Sequence, residues 1–232
     1  MLNVTDLTAS YGPVPVIRGV TFSIAKGEVV ALIGRNGVGK TTLLRSLMAM
    51  LPVRRGQIEL DGEAVDTLRT HQIARRGMML VPQGRGILSR LTVGENIAAG
   101  MRAAGDRQPL PLAEALAPFP ALRERINNPG GALSGGQQQQ LALARAMVSR
   151  PSMLLLDEPS EGVQPNIVHE IGELIGRLAR ETGVSVLLVE QNIELALQAA
   201  HRCLVMEKGQ IVHQGPVDEL RDDAVLKRYL AL

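Results

Sequence analysis

Short, wholly apolar runs punctuate this chain, and several of them end on residues able to do chemistry. Val29-Val30-Ala31-Leu32-Ile33, Met153-Leu154-Leu155-Leu156 and Cys203-Leu204-Val205-Met206 are continuous in hydrophobicity, and Val184 to Val189 is nearly so. Such runs predict strands buried on both faces, as in a parallel sheet covered by helices. The segment Thr42-Leu43-Leu44-Arg45-Ser46-Leu47-Met48 has helical apolar spacing instead. Residues 1–28 and Gly56-Gln57-Ile58-Glu59-Leu60-Asp61-Gly62 predict short strands in a small antiparallel layer. After Gln83 the pattern turns Ala-rich and helical, broken by Pro109, Pro111, Pro118 and Pro120. The expected organisation is one α/β domain over residues 1–232. Its core comprises 1–83 and 151–232, with a mostly parallel sheet and an N-terminal antiparallel β layer. A helical subdomain fills about 84–150, and residues 209–232 are expected to close with a hairpin return and a small helix.

The first apolar run opens into Gly34-Arg35-Asn36-Gly37-Val38-Gly39-Lys40-Thr41, followed by Thr42 and the helical pattern. Strand, glycine-rich loop and helix form the context in which this spacing cradles phosphates. The glycines let backbone N–H groups turn inward, and the helix N-terminus favours an anion. Lys40 is expected to neutralise β/γ-phosphate charge, and Thr41 to place its hydroxyl on Mg²⁺.

The second run delivers Asp157 and Glu158, followed by Pro159. Carboxylates at the C-terminal end of a central strand face the crevice where open α/β sheets bind ligands. Asp157 is the candidate metal holder and Glu158 the candidate group for polarising an attacking water. Phosphoryl transfer depends mainly on positioning and charge neutralisation, so few groups suffice. Between these motifs lies Leu133-Ser134-Gly135-Gly136-Gln137. Ser134 is a natural cap for a helix that continues through Gln137 to Met147, whose first N–H groups make a second anion-binding surface.

In this order the three motifs resemble the ATP-binding subunits of ABC transporters, P-loop NTPases of ABC type, and the resemblance spans essentially the whole chain. It implies ATP and Mg²⁺ as ligands and a head-to-tail pair of subunits, each ATP lying between one phosphate loop and the other subunit's Ser134, Gly135, Gly136 and Gln137. By the same resemblance Tyr11 stacks on adenine, Val16 flanks the base, and Gln83 reaches Mg²⁺ and the attacking water. Ser160 to Pro165 matches the loop that crosses the dimer interface, with Glu161-Gly162-Val163-Gln164 departing from the commoner wording there. Where most members place a histidine, this chain reads Glu190-Gln191-Asn192. Gln191 is carried over as a γ-phosphate sensor, although it has no imidazolium to donate from.

The wording Glu190-Gln191-Asn192, Val81-Pro82-Gln83-Gly84-Arg85 and Leu91-Thr92-Val93-Gly94-Glu95-Asn96 resembles one ATPase of the branched-chain amino-acid importers. The phosphate-loop wording, Glu161-Gly162-Val163-Gln164-Pro165 and Gln137-Gln138-Gln139-Gln140 lean toward their urea and amide relatives. That resemblance implies a dimer with itself or with a paralogous ATPase, integral membrane permease subunits, a solute-binding protein, and a place on the cytoplasmic face of the cell membrane. An exporter ATPase, or a soluble relative working on ribosomes or nucleic acid, is the competing reading.

Composition narrows these choices only a little. With 45% hydrophobic residues in 232, one sizeable core is affordable. A net charge of +2 without a long basic block argues against nucleic acid as a partner. No stretch approaches the roughly 18 apolar residues of a membrane helix, so membrane contact is expected through partners. Cys203 is the single cysteine, which excludes an internal disulfide. His71, His169, His201 and His213 lack ligand spacing and read as structural or surface residues.

Overall fold

The computed structural model describes residues 1–222. In chain order the elements are β1 (Leu2–Ser10), β2 (Pro15–Ile24), β3 (Val29–Ile33), α1 (Lys40–Leu47), β4 (Val53–Leu60), β5 (Glu63–Ala64) and α2 (Thr70–Arg76). Then follow β6 (Met78–Val81), α3 (Val93–Met101), α4 (Leu112–Ala115), α5 (Pro120–Arg123), α6 (Gly135–Met147) and β7 (Met153–Asp157). The chain continues with α7 (Pro165–Thr182), β8 (Ser185–Glu190), α8 (Ile193–Ala199), β9 (Arg202–Glu207) and β10 (Gln210–Pro216). A 3₁₀ turn, Val217–Arg221, ends the described part; the remainder of the expected C-terminal helix lies outside the described residues.

Two sheets form. The antiparallel layer has the order β2-β1-β4-β5, and the core sheet the order β10-β9-β3-β8-β7-β6. All neighbours in the core sheet are parallel except β10, which returns antiparallel on β9. The strands of the first layer are longer than the short pieces expected. β1 spans nine residues and β2 ten, because register shifts after Val4 and Leu7 absorb irregularities that blur the alternation in the sequence.

Alternate residues of each core strand enter different apolar clusters, as the pleat requires. Leu154 and Leu156 of β7, with Val186 and Leu188 of β8, face α6 and α7. Met153, Leu155, Leu187 and Val189 face the opposite way, toward α1 and the antiparallel layer. Both faces are therefore apolar, which explains the continuous runs. Removing one such leucine from water contributes about 1.5–3 kcal/mol. Helix α7 buries Val168, Ile171, Leu174, Ile175 and Leu178, a single stripe at 3.6-residue spacing. Pro165 starts it and Gly183, at φ 71°, ends it.

The segment between β6 and β7 is tied down by two polar devices. Asn96, fully buried, donates its amide to the carbonyls of Leu88, Leu91 and Thr92 and accepts from Leu88 N–H at 2.9 Å. Arg107 donates to the carbonyls of Ala74 and Arg75 at the end of α2, and to Ala103 and Ser149. The first holds the loop ahead of α3, and the second fastens this segment to the end of α2 and to the turn after α6. Its apolar side chains, among them Ile97, Phe119 and Leu141, join the same cluster as Leu154 and Leu156.

Helices α3 and α6 approach closely at Gly100, where a Cβ would run into the Arg145 carbonyl and lie 2.9 Å from a Val148 methyl. Gly100→Ala should therefore lower stability by about 1–3 kcal/mol, read as a lower urea midpoint with unchanged m-value.

Candidate functional site

Strand register brings the chemistry to one edge. In the parallel pairings Ile33 lies opposite Glu190, Asp157 opposite Val189, and Val81 opposite Leu156. Four adjacent strands, β3, β8, β7 and β6, thus deliver at their C-terminal ends the phosphate loop, Glu190-Gln191, Asp157-Glu158 and Gln83 respectively. Residues from four remote parts of the chain become neighbours because their strands end level.

The phosphate loop turns on glycines with left-handed backbones, Gly37 at φ 78° and Gly39 at φ 115°. Gly39 also starts α1 without a side-chain cap, leaving its first N–H groups for an anion. At Gly34 a Cβ would lie 2.6 Å from the Met206 carbonyl on β9, so the loop sits directly on the sheet end. Lys40 is 4% exposed, and its ammonium donates to the carbonyls of Gly34 at 2.8 Å and Arg35 at 3.1 Å. It also pairs with Glu158 Oε1 at 3.3 Å.

Thr41 donates its hydroxyl to Asp157 Oδ1 at 3.2 Å. Burial pushes the Asp157 carboxyl above the usual carboxylate range. The neighbouring Glu158 adds to that rise, while the Thr41 hydroxyl and the Lys40 and Arg45 charges oppose it. Glu158 adopts φ 47°, an unusual backbone for a non-glycine residue, and its N–H is held by the Val189 carbonyl at 2.9 Å. Strain of that kind gathers at sites where geometry is fixed by the surroundings. Gln191 donates to Glu158 Oε1 at 3.0 Å and to Asn36 Oδ1 at 2.6 Å. Asn36, Gly37, Gly39, Lys40, Thr41, Thr42, Gln83, Glu158 and Val16 line one cleft of about 220 Å³.

The donor set fits Mg²⁺. Thr41 and Gln83 line the cleft, and Asp157 is joined to it through the Thr41 hydroxyl; Mg²⁺ takes one or two carboxylates together with phosphate oxygens. Among the described residues no group of three or more His, Cys, Asp or Glu could hold a metal by itself.

Not every expected residue meets here. Tyr11 is 57% exposed, and its hydroxyl accepts from Arg45 of α1 at 3.2 Å, beside the cleft rather than among its lining residues. Ser134 to Gln137 stand apart at the start of α6, where Ser134 Oγ accepts from Gln137 N–H at 3.4 Å and Gln137 Oε1 from Ser134 N–H at 3.1 Å. This capping box turns the serine oxygen toward its own helix, so Gly135 and Gly136 supply the uncommitted N–H groups of the first turn. Two residues escaped the sequence reading. Arg85, at φ 69°, donates to Gln138 of α6 and to the carbonyls of Glu161 and Gly162, joining the loop after Gln83 to two others. Glu190 is 1% exposed and accepts three backbone N–H groups; burial raises its pKa, and hydrogen bonding from the Ser160 side chain and from the Ser160, Asn192 and Gln191 N–H groups opposes the rise. The one signal for Glu190 was an acid closing an apolar run, as Asp157 does.

Comparison with known proteins agrees with this geometry. Residues 17–161 match the family model described as ABC transporter, a span that includes the phosphate loop, Ser134 to Gln137 and Asp157-Glu158. The high-affinity branched-chain amino acid transport ATP-binding protein BraG of Pseudomonas aeruginosa is 43% identical, over 99% of each chain. The lipopolysaccharide export system ATP-binding protein LptB of Haemophilus influenzae is 33% identical, over 98% of this chain and 95% of that one. Among solved structures, the ADP conformation of MJ1267, an ATP-binding cassette of an ABC transporter, superposes with a TM-score of 0.86. It is 25% identical and is covered over 100% of this chain and 99% of that one. With its phosphate loop, buried lysine and paired carboxylates at one sheet edge, this chain belongs to the ABC transporter family and is one of its ATP-binding ATPases.

Proposed function

We propose that this ATPase energises import of a solute, a branched-chain amino acid or a related amide or urea, through a membrane complex. The observation that carries the import reading is end-to-end identity of 43% with a branched-chain amino acid transport ATP-binding protein. An export reading has its own support in the 33% identity with LptB. Among the described residues no helix is long and apolar enough to cross a membrane. The complex therefore needs integral permease subunits, with a solute-binding protein for import, and the ATPase docks on their cytoplasmic face.

In this reading Lys40 and the loop N–H groups from Asn36 to Thr42 bind the phosphates. Thr41, Asp157 and Gln83 hold Mg²⁺, which supplies charge neutralisation when bound. Glu158 orients and polarises the attacking water, and Gln191 fixes the Glu158 carboxylate through its amide. Tyr11 and Val16 receive the adenine. Gly135 and Gly136, with Ser134 and Gln137 turned to release their mutual cap, bind the γ-phosphate held by a second ATPase subunit. That subunit is another copy or a paralogue, and closure of the pair drives the membrane subunits between access states.

Reconstitution with candidate permease subunits and binding protein in vesicles tests the direction. ATP-dependent accumulation of a branched-chain amino acid, amide or urea inside is expected; movement only outward contradicts import. Glu158→Gln should lower turnover by about 10²-fold or more while ATP still binds and closed pairs accumulate. Gln191→Ala should lose clearly less, and equal losses would remove the ranking. Asp157 makes a separate, pH-dependent prediction. Its raised pKa means that the folded state holds the proton more tightly than the unfolded chain. Stability therefore falls as pH rises from the ordinary carboxylate range through the raised value. Asp157→Asn keeps an acceptor for Thr41 and should melt higher than wild type at pH 7.5 in nucleotide-free buffer, with the gap narrowing in acid. A lower melting temperature at pH 7.5 contradicts that assignment.

A further inference from the structure

Glu190 presents a problem that the reaction as described does not solve. It is 1% exposed, and no basic side chain pairs with it among the described residues. Burying a carboxylate without a counter-ion is unfavourable unless hydrogen bonds take up its lone pairs. Here they do, and they come from two different loops. Glu190 Oε1 accepts from Ser160 N–H at 2.9 Å, in the loop that begins with Glu158. Glu190 Oε2 accepts from Gln191 N–H at 3.1 Å and Asn192 N–H at 3.2 Å, in the loop after β8. At the cleft those loops are also linked by Gln191 donating to Glu158 Oε1 at 3.0 Å.

Both carboxylate oxygens must act as acceptors at once. An amide of the same shape supplies one acceptor and turns its NH₂ against a backbone donor. β8 is also the strand between β3 and β7, so its last side chain stands between the phosphate loop and the Asp157-Glu158 end.

We propose that Glu190 is a positioning residue for ATP hydrolysis, whose two oxygens fix the spacing between the Glu158 loop and Gln191 so that the Gln191 amide meets the Glu158 carboxylate. The inference rests on the reading of Glu158 and Gln191 as the groups around the attacking water. In this role Glu190 acts through the two loops rather than on the nucleotide itself.

A double-mutant cycle on the full chain tests it, with kcat and KM for ATP, affinity for a non-hydrolysable ATP analogue, and melting temperature as readouts. Glu190→Gln should lower kcat roughly 10- to 100-fold, with KM and analogue affinity within about three-fold of wild type. Added to Gln191→Ala, it should lower kcat by less than about three-fold more, because the contact it serves is already gone. A merely structural role would lower kcat by the same factor in both backgrounds, and that result overturns the proposal, as does wild-type kcat in Glu190→Gln. Should Glu190→Gln fail to fold, Glu190→Asp keeps both acceptors on a shorter stem. Its loss of kcat should likewise vanish in the Gln191→Ala background, and equal loss in both overturns the proposal. Glu158→Gln in the same assay separates the two readings. If it retains wild-type turnover, the reading of Glu158 fails; if it is inactive while Glu190→Gln is unimpaired, only the positioning role fails.

Discussion

Everything at the cleft is arranged around one buried cation. The Lys40 ammonium sits 4% exposed at the end of β3, where an unpaired charge would be heavily penalised. Two loop carbonyls and Glu158 satisfy it. A phosphate entering the cleft competes with Glu158 for the same ammonium. Under the proposed function, the water-polarising carboxylate is the one released as the phosphate takes its place, while Gln191 keeps a second hold on it. Binding and activation are coupled, in that proposal, through a single exchange of partners on Lys40.

That exchange requires a rigid frame, and the parallel sheet provides it. β3, β8, β7 and β6 are hydrogen-bonded parallel neighbours, apolar on both faces, and their ends are level to within a residue or two. Loops can carry polar, strained or charged residues there because the strands below them do not shift. Asp157 and Glu190, both buried with raised pKa, and Glu158, at φ 47°, are unfavourable features concentrated at this edge. Functional sites commonly hold such stability deficits, and the leucine-rich strands offset them here.

The sequence made much of this frame readable. Continuous apolar runs announced strands buried on both sides, and the helical spacing from Thr42 announced α1, which starts two residues earlier at Lys40. The acids after Leu156 announced a ligand-facing strand end. What stayed hidden depends on contacts between remote residues. Gln191 meets an asparagine 155 positions away, and Arg85 reaches across 53 to 77 positions to α6 and the Glu161-Gly162 turn. Neither partnership has a local pattern. Glu190 was visible only as an acid closing an apolar run within the subfamily wording, because the backbone N–H groups it accepts from carry no side-chain signal. The antiparallel strands were expected too short for a related reason. Asp6 at φ 50° and the register shifts around it interrupt the alternation without ending the ladder.

The central claim is that Lys40 is the shared partner of the protein's carboxylate and the nucleotide's phosphates. Calorimetric titration of a non-hydrolysable ATP analogue with Mg²⁺ into Lys40→Ala, beside wild type, tests it most directly. Affinity should fall at least about 30-fold while circular dichroism shows the fold retained, the loss typical of removing one partner from a buried charge pair. A folded Lys40→Ala protein that binds the analogue within about two-fold of wild type would contradict the account.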